Sequence, residues 1–261
     1  MILPVFNESI RNLSRSLDSL LSQEFPFRCL IIDESDSQET ITFLKNYALK
    51  YTNFEYLHPA GRLGLVASLN LGLERCSTKY IARFDSDDIN VAERFKKQIA
   101  FLEMHRDIAV VGTQVHLINN IGQKVGKRRF PVKHKNIIRN MNLLCPFSHP
   151  TVMFNVEALP PNATIKYNDG LKYGEDLDLW LRLADLGTRF ANLDEYLLSY
   201  RMSDNERSRE HWRSNLTIRV QNFINKPKIG KLFGLLVVAV ASVAPLELIA
   251  SLRKILWYRG N

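Results

Sequence analysis

The chain has 261 residues, 46% of them hydrophobic, with a formal net charge of +8 and three cysteines. That much apolar sequence supports a full core and excludes global disorder, while three scattered cysteines (Cys29, Cys76, Cys145) exclude a disulfide framework or a Cys-rich zinc site and fit a reducing compartment. The charge is uneven, since Lys226, Lys228, Lys231, Arg253, Lys254 and Arg259 face only Glu247; this suits an anionic membrane surface, and no recognition motif points to nucleic acid.

Met1 leads straight into Ile2-Leu3-Pro4-Val5 with an acid at Glu8, which does not read as a cleavable signal, so a chain that stays on the cytoplasmic side is expected. Short apolar runs then alternate with segments of helical period, the pattern of βα units on a mostly parallel sheet. Ile2 to Val5 is a strand, and Asn7-Glu8-Ser9 caps a helix whose Ile10, Leu13, Leu17, Leu20 and Leu21 share a face. Arg28 to Ile32 is the next strand, closed by Asp33-Glu34-Ser35-Asp36. A helix over 40–50, a strand over 54–57 and a helix over 65–75 follow. Tyr80 to Phe84 forms a fourth strand, and a helix spans Glu93 to Met104, giving four βα steps before residue 105. Beyond them, Ala109 to Thr113 and Val115 to Ile118 read as strands, Asn119-Asn120-Ile121-Gly122 as a turn, and Pro131 to Asn142 as a basic, partly helical segment.

The fourth strand ends in Asp85-Ser86-Asp87-Asp88, three carboxylates that repel one another unless a positive group neutralises them. Hard oxygen ligands at this spacing suit Mn²⁺ or Mg²⁺ holding a diphosphate, and open α/β sheets bind ligands at the carboxyl ends of their strands. A solvated acidic turn capping the next helix is the plainer alternative. An EF-hand is excluded because Ile89 falls on the third ligand position. Asp33 closes a nearby strand, so the two acidic ends frame a pocket. No Gly-x-Gly-x-x-Gly or Walker sequence occurs. A second centre, Glu175-Asp176 in the first turn of a helix carrying Leu177, Trp180, Leu181 and Ala184 on one face, either complements the helix dipole or supplies a general base. His149 sits in a proline-bounded loop.

In order, Pro4-Val5-Phe6-Asn7-Glu8, Ile31-Ile32-Asp33-Glu34-Ser35, Leu63-Gly64-Leu65, Asn70-Leu71-Gly72, Asp85-Ser86-Asp87-Asp88, His149-Pro150-Thr151, Gly174 to Trp180 and Tyr200-Arg201 resemble the family 2 glycosyltransferases, enzymes of GT-A fold that invert the donor's anomeric configuration. The resemblance runs from Pro4 to about Ser208. It implies a nucleotide-sugar site made by Pro4, Phe6, Glu8, Asp33, Arg62, Asp85, Ser86 and Asp87, with Asp33 on the base and a Mn²⁺ or Mg²⁺ ion on Asp85 and Asp87, Asp88 lying beside them. It makes Asp176 the catalytic base with Glu175 shaping the acceptor end, and puts His149 and Trp180 on the acceptor side. The implied reaction transfers one sugar, from a UDP-hexose or UDP-N-acetylhexosamine, to a polyprenyl-diphosphate-linked saccharide in surface polysaccharide assembly. The chain departs from the family pattern in Asp33-Glu34 for a double Asp, in Ser203 where a histidine is common, and in lacking the Gln-x-x-Arg-Trp of processive synthases.

A phosphatase of the haloacid dehalogenase type would want its acids after the first strand, and a catalytically silent membrane scaffold would not need Asp87 and Asp176. The expected organisation is a nucleotide-sugar half over 1–110, an acceptor half over 111–208 and a basic helical tail over 209–261. Within the tail, Leu232 to Leu246 is apolar around its circumference, yet fifteen residues reach only about 22 Å as a helix, short of a roughly 30 Å hydrocarbon core. Leu246 to Asn261 reads as an amphipathic segment with interfacial Trp257-Tyr258. A peripheral or monotopic attachment at the cytoplasmic face of a bacterial inner membrane is the expectation.

Overall fold

The computed structural model describes residues 1–202 and 208–245. The four expected βα steps form: β1 (Ile2–Val5), α1 (Ile10–Leu21), β2 (Cys29–Asp33), α2 (Gln38–Lys50), β3 (Phe54–Leu57), α3 (Leu65–Glu74), β4 (Tyr80–Ala82), a two-residue β5 (Ile89–Asn90) and α4 (Arg94–Met104). Helix α1 starts where the Ser9 side chain accepts the amide of Asn12, and it fully buries Leu13, Leu17 and Leu20. Each such leucine contributes about 2 kcal/mol.

Strands β3, β2 and β1 pair in parallel. A parallel bridge between Ile2 and Arg83, with the Phe84 amide on the Ile2 carbonyl at 3.2 Å, hooks the end of β4 onto the free side of β1. From β4 the sheet continues through β8 (Met153–Asn155), β6 (Val110–Ile118), β9 (Phe190–Arg201) and β5, with β7 (Lys124–Arg128) folded back on β6. The sheet therefore runs β3-β2-β1-β4-β8-β6-β9-β5. Its strands are apolar on both sides: Ile2, Leu30, Ile32 and Ile81 feed one core, and Leu3, Val5, Ile31 and Phe84 the other.

The expected mostly parallel sheet holds only for the first half. β8 runs antiparallel to β4 and β6, and β5 antiparallel to β9, so among the described residues the only parallel contact there is β6 with β9. The strict alternation of strand and helix that enforces parallel pairing stops after Met104. The two strands expected over 109–118 are one, β6, with its register against β9 shifting between Gly112 and Val115.

Helices α5 (His134–Met141), α6 (Glu175–Asp185) and α7 (Arg209–Asn225) close the second face. The segment expected as a tail divides at this point. α7 belongs to the body: Ile218 joins the core, the buried Arg219 donates to the carbonyls of Met141 and Asn142 at 2.8 and 2.6 Å, and Ser214 donates to the Tyr173 carbonyl at 2.6 Å. α8 (Ile229–Val243) packs one side on α7 and the body through Gly234, Val238 and Ser242, with Lys231 paired to Asp185 at 2.9 Å. Its other side exposes Ile229, Leu232, Phe233, Leu236, Val237, Val240 and Val243. The sequence reads as a helix apolar all round, with packing on the catalytic core as one alternative to membrane attachment; packing covers one side of it. Among the described residues no helix is long and apolar enough to cross a membrane, and the amphipathic segment beyond Pro245 lies outside them.

Gly234 shows why α8 docks. A Cβ built there would stand 1.7 Å from the Asn142 carbonyl oxygen, a backbone atom that cannot swing away. Alanine is favoured over glycine in a helix by about 1 kcal/mol. Gly234→Ala is nevertheless expected to lower the melting temperature and to open the α7–α8 connection to protease; a rise in melting temperature would show that α8 does not dock through this contact.

Candidate active site

Register places the chemistry. Val5 pairs with Asp33, and the Phe84 amide bonds back to β1, so Phe6-Asn7-Glu8, Asp33-Glu34 and Asp85 to Asp88 all leave the carboxyl edge of the sheet. Two strand spacings, about 10 Å, separate β2 from β4 across β1. The two acidic strand ends therefore lie at the same edge of the sheet, while the cavity described below is lined by Asp85 and not by Asp33.

Asp33 is fully buried, one oxygen accepting the Ser35 amide at 3.0 Å and the other the Tyr56 hydroxyl at 2.8 Å, with His58 Nδ1 at 3.6 Å. Burial and this bond hold the Tyr56 phenol protonated, as the donor. The exposed Phe6 ring carries the Arg62 guanidinium 3.9 Å from its centroid, making a flat, cationic flank beside Asp33. Pro4 is buried in β1 opposite Ile32. Glu8 accepts the Ser9 amide and Asn12 Nδ2 at 2.8 and 2.9 Å.

Two residues that the sequence reading named without a role in the site build this edge. Asn7, at a left-handed φ of 48°, accepts the amides of Asp36 and Ser37 and donates its own to Ser35 Oγ, welding the β1 turn to the β2 turn. Glu34 takes the amides of Leu63 and Gly64, each at 2.6 Å, and the Ser68 hydroxyl. It satisfies the first turn of α3, which Gly64 cannot cap with a side chain. Glutamate in place of a second Asp thus has a use: its extra methylene reaches the Leu63-Gly64-Leu65 motif.

In the acidic turn, carboxylate oxygens of Asp85, Asp87 and Asp88 lie within 4.8 Å of one another. Arg83 grips Asp85 through both guanidinium ends, at 2.5 and 2.6 Å. Asp88 is fully buried; one oxygen accepts the Arg201 amide at 2.8 Å and the other has no hydrogen-bond partner among the described residues. The Arg201 guanidinium binds the carbonyls of Asp87, Asn119 and Asn120. Beneath the turn, the buried Arg94 donates to Asn90, Gln98 and the Arg83 carbonyl, its pKa brought down to about 9 by burial. Asp87 is pushed up to about 7 by burial, then by the charges of Asp85 and Glu8. An orphaned buried carboxylate oxygen and a carboxyl group that resists ionisation are what a site for a divalent cation looks like without the cation, so this donor set fits Mn²⁺ or Mg²⁺. Ser86, half-buried, sits in the same turn.

Beyond this turn opens a cavity of about 480 Å³, lined by Arg83 and Asp85 on one side, His149, Glu175 and Asp176 at its base, and Arg128, Lys172, Tyr173, His211, Trp212 and Asn215 around it. Gly174, at φ 80°, turns the chain into α6 so that Glu175 and Asp176 fall in its first turn. Asp176 accepts the Leu177 amide at 2.7 Å and the Cys145 thiol at 3.1 Å. Glu175 is pushed up to about 7, mainly by burial and then by Asp176. His149 is buried, hydrogen-bonded through Nε2 to the Tyr167 hydroxyl at 2.7 Å, with Nδ1 3.7 Å from Glu175; burial and Arg83 keep its imidazole neutral. Asn70 holds this wall from α3, bonding both Tyr167 backbone groups and Asp169.

Trp180 does not reach the cavity. Its ring is fully buried between Phe147, Phe154 and His149, so the acceptor-side placement is corrected to a core position behind the wall. Its helix face was read correctly; what the sequence could not tell was that the cavity opens past the first turn of α6. Ser203 lies outside the described residues. A larger hollow, about 630 Å³, sits at the opposite edge of the sheet near Met1, Arg28 and Cys29 and has no carboxylate cluster. The sequence reading gave no site role to Arg83, Arg94, Tyr167 or Cys145; an arginine inside an apolar strand was the available signal for the first.

An open α/β sheet with a carboxylate triad at its strand edge, facing a pocket that holds a helix-borne carboxylate pair, defines the GT-A class of nucleotide-sugar enzymes. The profile of glycosyl transferase family 2 matches residues 1–159, and the chain belongs to that family. Among its relatives, the putative glycosyltransferase EpsE of Bacillus subtilis is 33% identical over 217 residues, covering 82% of this chain and 75% of that one. The amylovoran biosynthesis glycosyltransferase AmsE of Erwinia amylovora is 36% identical over 58% of this chain and 55% of its own length. The O-antigen biosynthesis glycosyltransferase WbnJ of Escherichia coli is 33% identical over 72% and 73%. The crystal structure of S. aureus TarS with UDP-GlcNAc superposes with a TM-score of 0.69 at 20% identity, over 92% of this chain and 72% of that one, a likeness of fold.

The acidic turn yields a pH prediction. Unfolded, Asp87 ionises near 3.8; folded without metal, near 7. Between those values the folded form retains a proton that the unfolded chain has lost, so this group costs stability progressively as pH rises from 3.8 to about 7. A bound divalent cation removes that cost. Mn²⁺ should therefore raise the melting temperature more at pH 8 than at pH 6, and the difference should shrink in Asp87→Asn, where the raised Asp88 remains; equal shifts at both pH values would refute it.

Proposed function

We propose that the protein is an inverting glycosyltransferase that moves one sugar from a UDP-hexose or UDP-N-acetylhexosamine to a hydroxyl of a lipid-linked saccharide during surface polysaccharide assembly. The observation that carries this reading is the placement of Asp176 on the same cavity wall system as Asp85, with the acid triad behind it. The names of the relatives AmsE and WbnJ, in amylovoran and O-antigen biosynthesis, support the pathway class, and the UDP-GlcNAc bound to TarS supports the donor class.

In this reading the donor's base lies against Phe6 and Arg62 beside Asp33, with Pro4 and Glu8 shaping the floor, and the diphosphate extends toward Ser86 and Asp87. Asp85 and Asp87 would hold the divalent cation, which supplies positive charge to the leaving diphosphate. Arg83 fixes the Asp85 carboxylate and so the place of that charge. Asp176 takes the proton from the acceptor hydroxyl as the hydroxyl oxygen attacks the anomeric carbon on the face opposite the nucleotide. One displacement inverts the centre, giving a β-linked product from an α-linked donor. Neutral His149 and Tyr167 exclude water and present hydrogen bonds beneath the acceptor.

The pKa of Glu175, about 7, favours a second reading in which it is the base, since a base is most effective near the working pH. Substitution separates the two. Asp176→Asn should lower turnover roughly a hundredfold or more with UDP affinity nearly intact, and Glu175→Gln should cost much less. The reverse order would transfer the role to Glu175, and a product of retained configuration would exclude both.

The acceptor side adjoins α7, and α8 exposes an apolar face flanked by Lys226 and Lys228. We take this face as the contact with an anionic cytoplasmic membrane surface that carries the acceptor. The full chain should cosediment with vesicles containing phosphatidylglycerol and release at high salt. Replacing Phe233, Leu236 and Val240 together by serine should abolish cosedimentation while donor hydrolysis continues; unchanged cosedimentation would remove α8 from the contact.

A further inference from the structure

We propose that Cys145 is a positioning residue for Asp176, its thiol holding one carboxylate oxygen so that the side chain keeps a single orientation toward the acceptor cavity. The inference rests on the reading of Asp176 as the base.

The geometry is specific. Asp176 Oδ1 accepts the Leu177 amide at 2.7 Å, and Oδ2 accepts the Cys145 thiol at 3.1 Å, so each oxygen is held from a different part of the chain. One partner belongs to the first turn of α6, the other to the loop before His149, 31 residues away. Just upstream, Arg219 of α7 holds the carbonyls of Met141 and Asn142; the thiol's other acceptor within reach, the Phe147 carbonyl, is more distant at 3.6 Å than the Asp176 oxygen at 3.1 Å. Burial and the Asp176 charge keep the thiol protonated, so it is the donor.

The residue type suits the task. An aspartate carboxylate has two oxygens and about four lone-pair sites, and two bonds leave acceptor capacity for an incoming hydroxyl. A thiol is a weak donor. It therefore fixes the carboxylate plane while withdrawing less basicity than a hydroxyl or amide at the same distance would. Positioning to within a fraction of an ångström is worth large rate factors in a reaction that depends on one proton transfer.

Steady-state kinetics on the full-length enzyme test this, with Cys145→Val removing the donor at similar volume and Cys145→Ser restoring one. Cys145→Val is expected to lower kcat roughly tenfold with the KM for the nucleotide sugar unchanged, and Cys145→Ser to recover most of that loss. A hydrogen bond to the charged form favours ionisation, so its removal should move the acid limb of the kcat profile to higher pH in the valine variant and not in the serine variant. The other charged and titratable groups facing Asp176 stay the same in both variants: Glu175 beside it, Tyr167 and His149 below, Arg83 and Asp85 opposite. So do Arg128, Lys172 and His211 around the cavity and Arg219 behind the thiol. If the valine variant does not fold, Cys145→Ala carries the same expectations.

In an Asp176→Asn background, Cys145→Val should have no further effect on kcat. Full activity in Asp176→Asn would overturn the base reading and this inference together. Loss of activity in Asp176→Asn with wild-type kcat and pH profile in both Cys145→Val and Cys145→Ala would overturn this inference alone. A kcat loss of the same size in Cys145→Ser as in Cys145→Val would also overturn it, since volume and not the donor would then matter.

Discussion

Mutual repulsion among carboxylates is the constraint on which the site is built. Asp85, Asp87 and Asp88 crowd together at the end of β4, with Glu8, Glu175 and Asp176 around the same opening. Leaving such charges unpaired in a partly buried place is costly, and the fold answers with three arginines rather than with solvent. Arg83 grips Asp85 from within the strand, Arg201 ties Asp88 and the Asp87 carbonyl to the end of β9, and Arg94 supports the turn from below. Asp87 and the fully buried Asp88 stay incompletely compensated, and burial with the neighbouring carboxylates raises the pKa of both. The turn is thus tied down from several sides, and the protein's own groups neutralise it incompletely.

The rest of the site depends on segments remote in sequence meeting at that turn. The loop around His149 leads into β8, which runs antiparallel between β4 and β6 and so sets His149 beneath Asp85. Helix α6 points its first turn at the same cavity, where the exposed amides of a helix start favour acids at Glu175 and Asp176. Helix α7 closes the far side with His211, Trp212 and Asn215. Because α7 is also the support on which α8 lies, the surface that exposes α8's apolar residues is joined to this cavity through one helix.

Much of this was legible in one sequence. Apolar runs gave the strands β1 to β4, and the acids that close β2 and β4 gave the sheet edge where the chemistry gathers. The ordered motifs gave the family, and with it the roles proposed for Asp33, Asp85, Asp87 and Asp176. What local pattern could not give were interactions made across the sheet. Strand β9 escaped notice because Asp194 and Glu195 interrupt its apolar run, although its ends are buried and its partner β6 sits beside it. Trp180 sat on the right helix and the wrong side of the cavity wall. The antiparallel turn of the sheet beyond β4, the burial of α7, the half-covered α8 and the thiol on Asp176 are all decided by which distant segment arrives next to which. Periodicity and composition report how a residue meets its own neighbours along the chain, whereas these features follow from packing between elements dozens of residues apart, and only the tertiary structure contains that.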